Sequence, residues 1–430
     1  MATATSEDEK TMSALAELVE KCNRCGFCQA GCPTYKVTGL EWQVSRGRVA
    51  LVRDILDGRV ALLEEEIQEA LGTCLRCSAC SMVHCPAQVQ TPEIVDKAIE
   101  ELVRLKGQPW VQRVIFRNLL PNRGLLDAAG RVVWLGQITG AQAAAKGLGL
   151  TKVLGNDVHR AQDGLPRVPS KTARQILPTM MRSVPNRQYR VAYFIGCATN
   201  QLYPQVAEAM VRVLFANNTE VLVPEVVDCG KPPTVYGDFE AARNLARKNI
   251  DAMYGLDVDA IVTDCATCGS FIKEYGELLA EDPLYADKAK AVSAKMKDIS
   301  EFLTGIQLND QMGDVKSKIT YHDPCHLVRF QKVSAQPRKL LKSIPGLEFK
   351  EMAEADMCCG GAGSFSLTHY DLSQQVLSRK MGNASRTSAN YLATGCPACM
   401  MQLSSGVKRD GLEMQVIHTV QLLDRAYSAR

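Results

Sequence analysis

Apolar residues recur at helical spacing through the first hundred positions of the chain. Residues 9–21 form a short amphipathic segment, and residues 45–56 place apolar side chains on one face and arginines on the other. Residues 61–71 repeat this pattern, as does Thr91–Leu105, whose Pro92 suits a first helical turn. The N-terminal third is therefore predicted to be an α-helical frame.

After residue 188 the pattern changes to short runs of β-forming residues, which alternate with helical stretches such as 239–254 and 371–381. The runs lie at residues 190–195, 221–223, 260–263, 318–321, 347–349 and 391–394. Strands that alternate with helices predict α/β units with parallel sheets. The chain as a whole is therefore predicted to be α+β.

Cysteines follow these runs twice in the same order. The series Cys197, Cys229, Cys265 recurs 128, 130 and 131 residues later. Three matching offsets indicate an internal duplication of about 130 residues. Because the carboxyl ends of parallel strands meet at one edge, we expect the cysteines to converge at one edge of each sheet.

The length of 430 residues suits two or three domains. We expect a helical domain at residues 1–105 and a connector at 106–188. The two repeats are then expected at residues 189–310 and 311–430.

The composition excludes several classes of function. The net charge is +3, from 50 basic and 47 acidic residues that are well mixed, and aromatic residues make up 6%. Binding of nucleic acid is not expected, because the chain has no basic stripe and few aromatic residues on which bases could stack. The chain has no apolar run of 18 residues and its N-terminus lacks a secretory pattern. We therefore expect a cytoplasmic protein without a transmembrane segment, with any membrane contact made through partners. Its seventeen cysteines indicate a reducing compartment and metal chemistry.

Eight cysteines in the first 85 residues fall into two runs with two-residue gaps, each ending in Cys-Pro. Such a run presents three sulfurs to one iron–sulfur cluster, while its fourth cysteine reaches the other cluster. The first predicted [4Fe–4S] cluster is bound by Cys22, Cys25, Cys28 and Cys85, and the second by Cys74, Cys77, Cys80 and Cys32. Structural zinc and disulfides are the alternatives, although zinc sites usually use paired cysteines. The second run has one extra residue before its last cysteine, which either bulges out or lets His84 tune or ligate the cluster.

The two repeats differ in their cysteine sets. The second repeat has five, Cys325, Cys358, Cys359, Cys396 and Cys399, which is more than one cubane cluster needs. The first repeat has four, Cys197, Cys229, Cys265 and Cys268, because Asp228 stands where one further cysteine would be. We expect a further [4Fe–4S] cluster in the second repeat and either an iron–sulfur cluster or zinc in the first. Buried core cysteines without metal are the alternative. His322 and His326 flank Cys325 and could ligate, hydrogen-bond a sulfur, carry protons or simply pack.

Five segments carry a family resemblance: CNRCGFCQAGCPTY at 22–35, SRGRVALVRDILDG at 45–58, YHDPCHLVR at 321–329, CCGGAGSFSL at 358–367 and TGCPACMMQL at 394–403. Apart from the connector, the chain resembles iron–sulfur subunits with two CCG (cysteine-rich) domains, most of all the glycolate oxidase type. Related subunits serve lactate utilisation, anaerobic glycerol-3-phosphate dehydrogenase and heterodisulfide reductase. The resemblance implies a two-cluster ferredoxin-like domain followed by two α/β CCG domains. It also implies that a complete CCG set can hold a non-cubane [4Fe–4S] cluster with disulfide chemistry, and that some sets hold zinc. Asp228 departs from the pattern, which argues against a non-cubane centre in the first repeat.

Oxidation of a 2-hydroxy acid removes a hydride, which requires a flavin or a nicotinamide. No G-x-G-x-x-G follows a predicted strand, and the chain has no P-loop. We therefore expect the hydride chemistry on an FAD-containing dehydrogenase subunit. This chain would relay single electrons between that flavin and an electron-transferring flavoprotein, a quinone or a membrane acceptor. The alternatives are a heterodisulfide-reductase-like enzyme that cleaves a disulfide at the five-cysteine site, and a metal-stapled scaffold without a redox role in its CCG half.

Overall fold

The computed structural model describes residues 6–429, without the side chains of residues 6–12, 154 and 163. The first five residues and Arg430, at the outer ends of the first and last expected domains, lie outside the described residues.

The N-terminal part is a frame of five helices. They are α1 (Ser6–Glu20), α2 (Pro33–Thr38), α3 (Ser45–Leu56), α4 (Glu65–Gly72) and α5 (Thr91–Lys106). Helix α3 packs between α1 and α5, and Val49, Val52, Leu71 and Ile94 are buried between the helices. The helices predicted from the apolar spacing are confirmed to within about four residues at each end. One detail was wrong: Arg48 does not lie on the solvent face of α3 but is only 2% exposed.

The connector is mostly helical and reaches both repeats. Its helices are α6 (Trp110–Val114), α7 (Arg123–Ile138), α8 (Ala141–Gly147), α9 (Asn156–Ala161) and α10 (Ala173–Ile176), with a π-helical turn at Ile115–Leu119. Arg117 pairs with Asp238 of the first repeat at 3.0 Å, and Arg160 pairs with Asp371 of the second at 2.6 Å. The connector therefore spans the two repeats on their outer side.

The two repeats contain the strands and the remaining helices. The first repeat holds β1 (Tyr189–Tyr193), α11 (Cys197–Leu202), α12 (Pro204–Ala216), β2 (Thr219–Leu222), α13 (Lys231–Val235), α14 (Phe239–Met253), β3 (Ala260–Thr263), α15 (Ala266–Lys273), α16 (Tyr275–Leu278), α17 (Ala286–Lys295), β4 (Met296–Asp298) and α18 (Ile299–Thr304). The second repeat holds β5 (Ser317–His322), α19 (Ala335–Ser343), β6 (Leu347–Phe349), α20 (Phe365–Thr368), α21 (Tyr370–Ser385), β7 (Tyr391–Thr394), α22 (Pro397–Arg409), β8 (Gln415–His418) and α23 (Thr419–Ser428).

Each repeat forms a four-stranded parallel sheet with the same strand order, β2-β1-β3-β4 and β6-β5-β7-β8. In the first sheet Val191 is in register with Val221 and Ala260, and the second sheet repeats this register about 130 residues later. The predicted duplication and parallel α/β units are confirmed. The fourth strands, β4 and β8, were not predicted, because each is fixed by pairing with a strand that is distant in the sequence.

The repeats pack against each other and share their hydrophobic core. Helix α12 lies against α23, where Arg212 pairs with Asp424 at 2.8 Å. Val191 of β1 and Ile319 of β5 belong to the same buried cluster. Just after β3 and β7, the backbone N–H of Ala266 donates to Gly395 O at 3.2 Å, so the carboxyl edges of the two sheets meet.

Candidate metal centres

Four cysteines from both N-terminal runs meet around one small cavity. Cys32 closes the first run, and the second run adds Cys74, Cys77 and Cys80 to the same cavity wall. Burial, together with the neighbouring Cys74 and Cys32, raises the pKa of the Cys80 thiol to about 12. The fold thus brings together the four cysteines expected at the second cluster.

The set expected at the first cluster lies closer to the surface. Burial raises the pKa of the Cys28 thiol, and Cys22 lies close enough to add to this effect. Cys85 accepts a hydrogen bond from the backbone N–H of Val89 at 3.4 Å. Cys25 is exposed. This set is therefore the part of the cysteine array that is most accessible from outside.

The extra residue of the second run is absorbed by a π-helical turn over Cys80–His84. Such a turn holds one more residue than an α-helical turn, because its hydrogen bonds join residues five apart. The turn exposes Met82 and Val83. It also places His84 against Gly31, where a β-carbon would lie 2.0 Å from the imidazole ring. The bulge interpretation is confirmed, and a tuning or ligating role of His84 stays a prediction.

The five cysteines of the second repeat contact one another in a row. Cys325 and Cys359 lie close enough to Cys358 to interact with its sulfur, and these neighbours lower the pKa of Cys358. Cys359 and Cys396 are likewise neighbours of Cys399 and raise its pKa. The expected convergence at the sheet edge is confirmed for this repeat.

The row continues without a break into the first repeat. Cys265 lies close enough to Cys396 for each to shift the pKa of the other. Cys268 in turn is a neighbour of Cys265 and of Cys229. The sequence predicted one group of cysteines at each sheet edge. The structure places the two edges against each other, so that eight thiols form a single series.

Asp228 belongs to the first set. The Cys197 thiol and the Asp228 carboxylate form a hydrogen bond, and the backbone N–H of Gly230 donates to Asp228 Oδ1 at 2.8 Å. Burial raises the pKa of Asp228, and in the described part of the chain its buried Oδ2 has no hydrogen-bond partner. An oxygen ligand or a hydrogen-bonding group is therefore available where the second repeat offers a thiol.

Both flanking histidines are buried beside the second set. The ring of His322 offers a nitrogen within 4.8 Å of the sulfurs of Cys359 and Cys399, and neither ring nitrogen has a partner among the described residues. Nδ1 of His326 lies 3.4 Å from Cys325 Sγ. Burial lowers the pKa of His322 to about 3 and that of His326 to about 4. Both rings are neutral near pH 7 and have the protonation state that a metal ligand needs.

Glycines next to the paired cysteines direct backbone donors at the sulfurs. The backbone N–H groups of Gly360 and Gly361 lie near the sulfurs of Cys358 and Cys359 and act to lower the pKa of these thiols. Gly360 has a φ of 85°, and a β-carbon on it would lie 2.8 Å from the carbonyl oxygen of Ser373. Only glycine fits this turn, which holds two donors toward sulfur charge.

Two buried arginines beside the cysteines were missed by sequence reasoning. Arg48 lines the same cavity as the Cys32 set. Its donors reach only uncharged acceptors among the described residues, including Ala70 O at 2.7 Å and Thr73 Oγ1 at 3.1 Å. Arg48 precedes the apolar Val52 by four residues, and residues four apart share one face of a helix. This spacing was the sequence signal that could have placed Arg48 on the apolar face of α3.

Arg329 lies between the N-terminal cavity and the second repeat. Its Nη1 donates to Cys77 O at 3.1 Å, and its Nη2 donates to Asp356 O at 2.8 Å. Burial opposes its charge, yet nearby Cys77 and Cys325 raise its pKa. Local sequence carried no signal for this role, because Cys77 is 252 residues away.

These features fit an anionic metal cluster bound by thiolates. A buried cation without a counter-charge is costly, and a metal that binds a cysteine thiol displaces its proton. The cavity beside Arg48 pairs such a cation with four thiols, and the second repeat adds two neutral imidazoles. The residues present would therefore hold an iron–sulfur group.

Comparison with known proteins agrees with this chemistry. Residues 191–273 and 319–404 match the cysteine-rich domain family, and residues 18–89 match the 4Fe-4S dicluster domain. Residues 107–162 match the linker region of the glycolate oxidase iron-sulfur subunit. The chain therefore combines a ferredoxin-like 4Fe–4S dicluster domain with two CCG domains, and it carries iron–sulfur clusters.

Related proteins match over almost the whole chain. The chain is 33% identical to the probable glycolate oxidase iron-sulfur subunit of Bacillus subtilis over 412 residues, covering 94% of this chain and 92% of the relative. It is 29% identical to the glycolate oxidase iron-sulfur subunit of Escherichia coli, covering 95% and 94%. A hypothetical protein from Helicobacter pylori shares the fold with a TM-score of 0.53 at 9% identity, covering 99% of this chain and 74% of that one.

Within residues 6–429, no helix combines the length and the apolar content that crossing a bilayer requires. The matched domains lie in the same order as the helical frame, the connector and the two repeats. The order of the domains, the cysteine sets and the near full-length similarity together show that the chain belongs to the family of glycolate oxidase iron–sulfur subunits.

Proposed function

We propose that this chain is the electron-transfer subunit of a flavin-dependent 2-hydroxy-acid dehydrogenase complex of the glycolate or lactate type. It relays single electrons between an FAD-containing partner subunit and a downstream acceptor, either an electron-transferring flavoprotein or a quinone. The observation that carries this proposal is the row of cysteines that runs from the N-terminal cavity through both repeats. Iron–sulfur clusters bound along such a row supply closely spaced one-electron carriers.

The ligand sets of this proposal are those predicted from the sequence. Cys22, Cys25, Cys28 and Cys85 bind the first [4Fe–4S] cluster, and Cys32, Cys74, Cys77 and Cys80 bind the second. Cys325, Cys358, Cys359, Cys396 and Cys399 hold a further cluster. Cys197, Cys229, Cys265 and Cys268 hold an iron–sulfur cluster or zinc, with Asp228 beside them. The domains are proposed at 1–105, 189–310 and 311–430, with the connector between the first two.

The first cluster set suits the entry point from the flavin. Cys25 is exposed, and Phe27, Met82 and Val83 around it are 63%, 44% and 54% exposed. Phe27 lies on a helical turn that packs against the turn of Met82 and Val83. A surface of this kind, with apolar side chains around an exposed cluster ligand, supports docking of the FAD subunit on this side.

The junction between the N-terminal cavity and the second repeat suits the next transfer. Cys77 belongs to the same buried cluster as Cys325 and Cys358. Arg329 donates to the backbone of Cys77 and lies close enough to the sulfurs of all three cysteines to interact with their charge. The guanidinium supports the relay because it balances negative charge on both sides of the junction.

A second candidate function is disulfide cleavage at the five-cysteine set. The specific observation in its favour is the surplus of thiols there, together with the unpartnered His322 ring within 4.8 Å of Cys359 and Cys399. Reduction of a disulfide needs two electrons and two protons, and the buried rings of His322 and His326 beside this set are groups that could transfer a proton. Thiol release from a disulfide substrate by the reduced, isolated chain would favour this candidate over the relay.

The relay is tested with the variant Cys25→Ser in the complete complex. The substrate should still reduce the flavin, while electron transfer from the flavin to an artificial acceptor should fall at least tenfold. Rapid-mixing spectra separate these two steps. Leu63→Ser, at a 52% exposed position of the same domain, is the matched control and should leave both steps unchanged. Reduction of the acceptor at the normal rate by the Cys25→Ser complex would refute the relay.

A further inference from the structure

The connector carries most of the exposed apolar surface of the chain. Twenty large hydrophobic side chains are exposed among the described residues, and twelve of them lie between Leu105 and Val153. On α7, Leu125, Val132 and Leu135 follow one another at helical spacing and are 50%, 69% and 48% exposed. A concentration of this size on one segment marks an interaction surface.

The charge of the same segment is strongly one-sided. Six basic residues and one acidic residue lie between 107 and 155, so this stretch carries +5 while the rest of the chain carries −2. Two of the basic residues pair with acids of the first repeat. The single acid, Asp127, is turned inward, where it accepts a hydrogen bond from Gln201 at 2.5 Å. Arg131 and Lys152 are exposed. The outer face of the connector is therefore apolar and positive.

An open groove of about 400 Å³ lies beside the α7 stripe. Its lining includes the cations Arg131 and Lys171, the ring of Trp134, and the polar side chains of Ser170 and Gln175. The groove thus offers two positive charges and hydrogen-bond donors next to an aromatic wall, and no acidic residue lines it. This set of groups suits a phosphate ester attached to an apolar body.

We propose that the α7 stripe and the adjoining groove bind the surface of an anionic phospholipid bilayer. The apolar side chains would enter the boundary between headgroups and acyl chains, and the cations would meet the lipid phosphates. A protein partner would explain the apolar stripe. It would not by itself explain why the exposed charges of this face are cationic or why the open groove is basic. The sequence alone had indicated membrane contact only through partners, whereas the structure assigns it to the chain itself.

The position of this surface relates it to the proposed electron path. Gly130 on α7 lies against Gln201 of α11, the helix that begins at Cys197. Cys197 neighbours Cys229, the last thiol of the series that starts near the N-terminal cavity. The surface therefore adjoins the far end of the cysteine row. If the proposed relay holds, on which this last step rests, electrons would leave next to the lipid phase, where a quinone resides.

The binding is tested by flotation of the iron-loaded chain with vesicles. Vesicles of equal parts phosphatidylglycerol and phosphatidylcholine should bind the chain at least tenfold more tightly than vesicles of phosphatidylcholine alone. The double variant Val132→Glu, Leu135→Glu should weaken this binding at least tenfold, because about tenfold in affinity accompanies each buried aliphatic side chain. Leu284→Glu, at a 75% exposed position of the first repeat, is the matched control and should bind within twofold of the unaltered chain.

The outcomes separate the possible occupants of this surface. Absence of binding to the anionic vesicles, or equal binding by the double variant, would overturn the proposal. Loss of co-purification with the FAD subunit in the double variant, with vesicle binding unchanged, would assign the surface to a protein instead. Transfer to a water-soluble acceptor should be normal in the double variant, so that a failed relay is distinguishable from failed lipid binding.

Discussion

Replacing Arg48 tests whether the N-terminal cavity is built for a negatively charged cluster. Arg48 is 2% exposed, lines the cavity with four cysteines, and donates only to uncharged acceptors among the described residues. The variant Arg48→Met removes the charge and keeps an apolar side chain in its place. Because reduction adds negative charge to the cluster, loss of a nearby cation should lower the reduction potential.

The expected shift follows from the position of the side chain on the cavity wall. At an effective dielectric constant of about 20, two unit charges interact by about 4 kcal/mol at about 4 Å and about 2 kcal/mol at about 8 Å. One kcal/mol corresponds to roughly 43 mV for a one-electron couple, since a tenfold change is about 59 mV. A decrease on the order of 100 mV is therefore expected for one of the two N-terminal clusters.

The assay is a redox titration followed by electron paramagnetic resonance, after iron analysis has confirmed that the variant is loaded. Arg48→Lys keeps the charge and should retain most of the potential. Arg53→Met is the matched control on the same helix, because Arg53 donates to Val19 O at 2.8 Å and does not line the cavity. Equal potentials in Arg48→Met and Arg53→Met would refute the reasoning.

Three further predictions concern the repeats. Gly196→Ala should lower the metal content of the first repeat and leave the N-terminal iron in place, because a β-carbon would lie 2.9 Å from Cys268 Sγ. An unchanged metal content in this variant would contradict the prediction. Arg329→Gln should slow reoxidation of the N-terminal clusters at least tenfold in freeze-quench spectra, since the charge beside Cys77 is lost; an unaltered rate would count against the junction. Burial raises the pKa of Asp298 to about 7, above its value of about 3.9 in unfolded chains, so its stabilising effect is complete below about pH 4 and is lost as the pH rises through 7. Urea unfolding of Asp298→Asn should lack this loss, and a stability difference from the unaltered chain that stays constant between pH 4 and 8 would show the assignment to be wrong.

Much of the local structure was readable from the sequence, because periodicity and cysteine spacing are local properties. The spacing of apolar residues predicted α3 at its observed bounds, and the offsets between cysteines predicted two like sheets. The extra residue before Cys85 was also recognised, although only the structure showed that a π-helical turn accommodates it. Strands β4 and β8 were not predicted, because each is held by pairing with a strand that is distant in the sequence.

Sequence alone determined which residues can bind metal and how they divide into runs and repeats, because ligand type and spacing are written along the chain. Tertiary structure decided which runs meet. The backbone hydrogen bond from Ala266 N–H to Gly395 O brings Cys265 beside Cys396, and Arg329 joins the N-terminal cavity to the second repeat across 252 residues. Such contacts leave no local pattern, since they depend on how whole sheets and helices pack. The prediction that Arg48 faces solvent was wrong for the same reason. A long cationic side chain is expected at the surface, and only the packing shows that a buried anionic site would balance its charge.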